Sequence, residues 1–353
     1  MRLDVVGENI PERVMRRLNL APIPLVHTHL GLLLARTVME AAKAGVFDAL
    51  AASPLRASEL AAACQIDAAA AGKLLGALAT SGYLTYDPSG GGRFALTSMA
   101  RKWLLTSSPV SLHDKMLLTF YESEWIDRMG EYLRTGRDVT GGGHVGAPPD
   151  AEFWRLYQRA MRAIASMSAD EVARRTYVPA GARAMLDIGG SHGLYSVAIC
   201  QRHAGLSSTI LDLAEAVEQA APLLANEGMG PRVTHRVGNV LVTDLGEGTY
   251  DVVFMSSLVH HFDEATNREL MKRIARALRP GGAVVVQELV RRESPTQGGQ
   301  LGALLDLYFA LTSQAGTWSV AEMAAWQRDA GLQSRPPVFL RSMPGGAQQT
   351  AIK

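Results

Sequence analysis

Two acids and three glycines, closely spaced in this chain, could do chemistry together. Asp187 follows the apolar run Ala184-Met-Leu186, and Gly189, Gly190 and Gly193 come next, ahead of a segment with helical spacing from Leu194 to Arg202. A second acid, Asp212, closes the next apolar run, Ser208-Thr-Ile-Leu211, and is followed by Leu213. The spacing predicts a strand, a tight loop and a helix N-terminus, the opening unit of a nucleotide-binding α/β fold. Glycines there admit positive φ and let backbone approach a ligand closely. Asp212 stands where a carboxylate can hold ribose hydroxyls. The rival reading is a glycine turn in an unrelated α/β fold.

The ligand follows from the order of residues. The dinucleotide fingerprint is G-x-G-x-x-G, whereas this chain has D-x-G-G-x-x-G. A carboxylate beside the loop repels a pyrophosphate and suits a ligand with a cationic sulfonium and a free ammonium. S-adenosylmethionine has both and is the cofactor expected. His192, inside the loop, either touches the ligand or points away. No metal is expected: His27 and His29 lack a neighbouring carboxylate or cysteine and read as packing or capping residues. Cys64 and Cys200 stand in no metal or redox spacing and read as reduced, buried side chains of a cytoplasmic protein.

These residues need elements to position them. From Arg183 the chain alternates, with strands expected near 184–188, 208–213, 232–237, 250–256, 283–290, 337–342 and 348–352 and helices between the first five. That is an α/β fold with a mostly parallel sheet covered on both faces. Ala265 to Leu278 is the clearest helix, stopped by Arg279-Pro-Gly-Gly282. Residues 1–110 read differently. A helix runs from Leu30 to Leu50, Ser58 and Asp67 are N-cap candidates for two more, and Tyr83 to Thr97 forms a hairpin. Three helices and a hairpin make a winged helix. Its would-be recognition helix, Ala68 to Ser81, carries Lys73 and no Arg, Asn or Gln, so it lacks groups for base readout or phosphate clamping. We read it as an interaction domain without nucleic-acid binding.

Between them, 111–180 is mostly helical, interrupted by the glycine- and proline-rich stretch 136–149, a loop or cover. Asp150 should cap a helix through Arg175 in which Phe153, Trp154, Tyr157, Met161 and Met167 look inward. Most such positions are plain core, and some are expected to line a substrate cavity. The net charge of +1 provides no strong field toward nucleic acid or anionic membrane. No apolar run is long enough to span a bilayer, and the first residues, which are charged, lack the apolar core expected of a signal peptide.

The motifs Asp187-Ile-Gly-Gly-Ser-His-Gly193, Leu211-Asp-Leu213, Gly238-Asn239, Ser256-Ser-Leu-Val-His-His-Phe-Asp-Glu264 and Leu278-Arg-Pro-Gly-Gly282 stand in a recognisable order. The chain resembles S-adenosylmethionine-dependent small-molecule O-methyltransferases with an N-terminal winged-helix dimerisation domain, of plant caffeate and bacterial polyketide type. The resemblance covers nearly the whole chain. It implies a Rossmann-like class I methyltransferase sheet over 181–353, a helical linker and substrate-pocket region over 111–180, and a dimerisation domain over 1–110. It implies a homodimer, a small aromatic or polyketide-like acceptor, and His260 as general base with Glu288 as its carboxylate partner. His261 is the alternative base.

The resemblance also places Asp187, Gly189, Gly190, Gly193, Asp212, Leu213, Asn239, Val240 and Ser256 at the cofactor, and Trp154, Tyr157, Met161, Tyr308 and Trp318 in the acceptor pocket. The dimer is expected through Leu30, Leu32, Leu33, Leu34 and Val38. Three departures stand out. Asn239 replaces the usual Asp, His261-Phe262 replaces Asp-Trp, and the loop Gly316-Thr-Trp-Ser319 lacks the second acid. Rival readings are a C-methyltransferase, a relative that keeps the cofactor without transferring its methyl, and a ligand-responsive winged-helix regulator.

Overall fold

The computed structural model describes residues 4–141, 151–294, 299–313 and 315–353. Two compact units divide it, one reaching to Phe120 and the other running from Tyr121 to Lys353.

In the first unit, helix Gly31–Lys43 follows a π-helical turn, Val26–Leu30. Short helix Val46–Ala49 and helices Ala57–Cys64 and Ala68–Thr80 come next. Strands β1 (Leu55–Arg56), β2 (Leu84–Asp87) and β3 (Arg93–Leu96) pair antiparallel in the order β1-β3-β2. Asp67 caps its helix, accepting from Ala70 N at 2.9 Å. Ser58 does not cap: the helix begins at Ala57, and Glu59 reaches back to accept from Arg56 N at 2.8 Å. Val38, Phe47, Leu60, Leu75 and Leu78 form the core. Leu30, Leu32, Leu33 and Leu34 stay exposed, Leu32 at 63 %. Val38 leaves that group, because the C-terminal half of its helix turns Val38, Ala41 and Ala42 into the unit's own core.

The second unit holds the expected sheet. Its strands are β4 (Ala184–Ile188), β5 (Ser207–Asp212), β6 (Val233–Val237), β7 (Tyr250–Ser256), β8 (Leu278–Leu289), β9 (Gln333–Ser334), β10 (Val338–Phe339) and β11 (Gly346–Ile352). The order is β10-β11-β8-β7-β4-β5-β6, with β9 beside β11. Strands β4 to β8 are mutually parallel, and β11 runs antiparallel to β8. Helices Leu194–Arg202, Ala214–Ala225 and Glu264–Ala277 follow β4, β5 and β7. The helix expected between β6 and β7 is absent. Asn239 caps a turn there by accepting from Leu241 N at 2.9 Å, and Gly246 and Gly248, both at positive φ, leave no helical run. Strand β10 is shorter than expected because Ser342-Met-Pro344 turns the chain.

The long helix expected to reach Arg175 breaks at Met167-Ser168 into Ala151–Ser166 and Ala169–Arg175. Met167, at the break, borders the site cavity and is also 40 % exposed. Asp150 and residues 142–149 of the glycine-rich stretch lie outside the described residues.

Apolar side chains cover both sheet faces, Phe262, Ile274 and Trp326 in one cluster and Tyr195, Ile199 and Phe254 in the other. One polar seam crosses the strands. Gln287 of β8 donates to Ser256 Oγ of β7 at 3.0 Å and accepts from Gln348 Nε2 of β11 at 3.0 Å.

Candidate active site

A cavity of about 330 Å³ opens at the C-terminal ends of β4, β5 and β7. Asp187, Gly189 and Gly190 line it from the β4 loop, Asp212 and Leu213 from the end of β5, Asn239 and Val240 from the turn after β6, and Ser256 from β7. Helix Ala151–Ser166 contributes Trp154, Tyr157 and Met161. Ligands of parallel α/β sheets sit at this end of the strands.

Asp187 is 1 % exposed. Its Oδ2 accepts from Ser196 Oγ at 2.6 Å, and its Oδ1 has no partner. Burial pushes the carboxyl up to about 7, against the Ser196 hydrogen bond. Asp212 is likewise pushed up by burial, to about 6, although Ser191 N and Leu213 N both donate to it at 2.8 Å. Gly190 has to be glycine: a Cβ there would lie 2.5 Å from the Asp187 carboxylate.

Gly193 lies off the cavity wall. At φ +77 it starts helix Leu194–Arg202, and a Cβ would stand 2.7 Å from Ile210 Cδ1 and 2.9 Å from Leu224 Cδ1. It serves close packing of helix on strand.

Sequence reasoning missed Ser191 and Gln158. Ser191, at φ +53, is held on three sides. Its N–H donates to Asp212, its hydroxyl donates to Gln158 Oε1, and its carbonyl accepts from His235 Nε2 at 2.8 Å. Gln158 had a readable signal as a polar residue inside the apolar stripe of Trp154, Tyr157 and Met161. His192 does border the cavity. Burial holds its imidazole near 3, hence neutral, and its Nδ1 accepts from Leu194 N at 3.1 Å.

The histidine pair rides on a 3₁₀ turn, Val259–His261, directly after β7. His260 Nδ1 lies 3.0 Å from Glu288 Oε1, and Glu288 is fully buried at the end of β8. Parallel pairing of β7 with β8 brings the two together. Phe309 stacks on the His260 ring with centroids 3.8 Å apart. His261 borders the cavity, with Nδ1 at 2.9 Å from Ser313 Oγ. His260 stands behind it, off the cavity wall, with ring centroids 4.3 Å apart.

Two expected pocket residues lie elsewhere. Trp318 is core: it packs edge-on to Trp326, and its Nε1 donates to Val259 O at 3.0 Å, bracing the histidine turn. Tyr308 misses the wall because helix Gln300–Thr312 presents Leu301 and Leu305 there instead. The acid-free loop near Thr317 is tied down by Asp306, which accepts from Thr317 N and Oγ1 at 2.7 and 2.8 Å. Among the described residues, no three His, Cys, Asp or Glu side chains gather closely enough to hold a metal ion, and no helix is long and apolar enough to cross a membrane.

Comparison with known proteins places the chain in a family. The chain is 28 % identical over 323 residues to the 3-hydroxy-5-methyl-1-naphthoate 3-O-methyltransferase of Streptomyces sahachiroi, covering 88 % of this chain and 89 % of that one. It is 27 % identical to the mitomycin biosynthesis 6-O-methyltransferase of Streptomyces lavendulae, over 90 % of this chain and 89 % of that one. Human N-acetylserotonin methyltransferase, solved in complex with S-adenosylmethionine, shares the fold with a TM-score of 0.84 at 20 % identity, over 99 % of each chain. A family model for the O-methyltransferase dimerisation domain matches residues 26–107, and one for the O-methyltransferase domain matches residues 140–333. With more than half its length matched by that second model, the chain belongs to the S-adenosylmethionine-dependent O-methyltransferase family.

Proposed function

We propose that this enzyme methylates a hydroxyl oxygen of a small aromatic or polyketide-like metabolite, with His260 as general base. The buried His260–Glu288 pair carries the reading. Glu288 accepting Nδ1–H leaves Nε2 as the proton acceptor, and the carboxylate steadies the imidazolium that forms. S-adenosylmethionine supplies a methyl group on a cationic sulfur. Asp187 Oδ1, buried and unpartnered, takes the cofactor's ammonium, and Asp212 takes the ribose hydroxyls. Gly189 and Gly190 allow close backbone approach. Leu213, Asn239, Val240 and Ser256 complete that wall. Tyr157 and Met161 bound the acceptor side, Trp154 of the same helix stands where that side meets the cofactor wall, and catalysis is chiefly alignment of donor and acceptor.

Relatives that act on a naphthoate and in mitomycin biosynthesis support the acceptor class. The dimerisation domain and the exposed Leu30, Leu32, Leu33 and Leu34 support a homodimer. A second reading makes His261 the base, because His261 borders the cavity.

Incubating hydroxylated aromatic candidates with labelled cofactor and identifying the product by mass spectrometry tests the acceptor. On that acceptor, His260→Gln should lower turnover by about 10²–10⁴-fold with cofactor affinity unchanged, and Glu288→Gln should lower it less. A loss confined to His261→Gln moves the base one residue on. Wild-type turnover in both single variants sinks base-assisted O-methylation.

A further inference from the structure

The amino-acid end of the cofactor carries a carboxylate beside its ammonium. Among the described residues, no Lys or Arg lines the cavity, and the acids there are Asp187 and Asp212. A carboxylate entering such a site needs donors.

Two buried donors stand ready. Trp154 Nε1 and Gln158 Nε2 have no hydrogen-bond partner, although the residues are only 7 % and 1 % exposed. They are four positions apart on helix Ala151–Ser166, so they share one face, and both line the cavity. Ser191 occupies the carbonyl oxygen of Gln158, which leaves the NH₂ end free. Ser191 belongs to the loop that starts at Asp187, whose Oδ1 is the other unpartnered atom of this wall.

We propose that Gln158 Nε2 and Trp154 Nε1 donate to the carboxylate of the bound cofactor. The assignment rests on the reading of Asp187 as the partner of the ammonium. Neutral donors have an advantage over a cation at this place. A Lys or Arg side chain would pair with Asp187 or Asp212 in the ligand-free cavity and compete with the sulfonium and ammonium for them. An amide and an indole bind the anion and leave both acids to the ligand.

Calorimetric titration with S-adenosylmethionine and with its decarboxylated analogue, which keeps the ammonium and sulfonium, tests this. Gln158→Leu and Trp154→Phe should each weaken S-adenosylmethionine binding by about 5–50-fold and leave the analogue within about twofold. Gln158→Glu is nearly isosteric, keeps an oxygen for Ser191 and guards against misfolding. It should weaken S-adenosylmethionine more than Gln158→Leu does, and hold or tighten the analogue. Equal losses for both ligands, or none, overturn the assignment while leaving the cofactor site in place. Wild-type protein that binds both ligands with equal affinity also overturns it. Wild-type protein that binds neither refutes the underlying cofactor reading.

Discussion

Asp187→Asn should make the ligand-free protein more stable and the liganded protein less so. Burial raises the Asp187 carboxyl from 3.8 to about 7. A gap of roughly three pH units at about 1.4 kcal/mol per unit corresponds to about 4 kcal/mol. The sign follows from which form the fold prefers. The folded state favours the protonated acid, so its contribution is fully present below pH 3.8 and is lost as pH rises through about 7. Asparagine carries no charge and keeps an oxygen for Ser196. Urea unfolding without ligand should therefore show the variant more stable than wild type by about 2–4 kcal/mol at pH 8 and by about 1–2 kcal/mol at pH 5. Saturating S-adenosylmethionine should reverse the order at pH 8. It stabilises wild type by mass action, while the variant has lost the ammonium's partner. A stability difference that does not change with pH, or equal ligand stabilisation of both proteins, would refute the argument.

Gly193→Ala should destabilise the protein by about 1–3 kcal/mol, from a strained φ and a Cβ forced against Ile210 and Leu224. Chemical denaturation measures it, and an unchanged midpoint would show that the helix can shift freely. Wild type is expected to sediment as a dimer at micromolar concentration, and replacing Leu32 and Leu33 together with glutamate should yield a monomer, since charges would then occupy the exposed apolar helix face. A dimer that survives the change places its interface elsewhere.

The cavity wall at the strand ends was readable because strand ends and glycine loops are local: Asp187 and Asp212 each close a short apolar run, and Gly189 and Gly190 follow the first. The His260–Glu288 pair was readable through resemblance, and the parallel register of β7 and β8 explains why residues so distant in sequence meet. What escaped depends on helix rotation. Whether Leu301 and Leu305 or Tyr308 face the cavity is decided by packing around Gln300–Thr312, and all of these residues are apolar or aromatic. Trp318 was misplaced because an indole suits a ligand pocket and a core equally well. Asn239 and two glycines displaced the expected helix after β6 by satisfying the backbone in a turn.

The glutamine seam bears on how the chain finds its final pairing. Strand β8 contains the run Val284-Val285-Val286, which would tolerate sliding by two residues against a neighbour, because one valine replaces another on the same face. Gln287 removes that degeneracy. In the native register Gln348 lies opposite Gln287, and Ser256 takes its remaining donor. Any slip would strand buried amides at about 1–3 kcal/mol each. Strand β11 thus reads a positional code rather than an apolar surface. The same code fixes Glu288, one residue further along, at the height of its histidine.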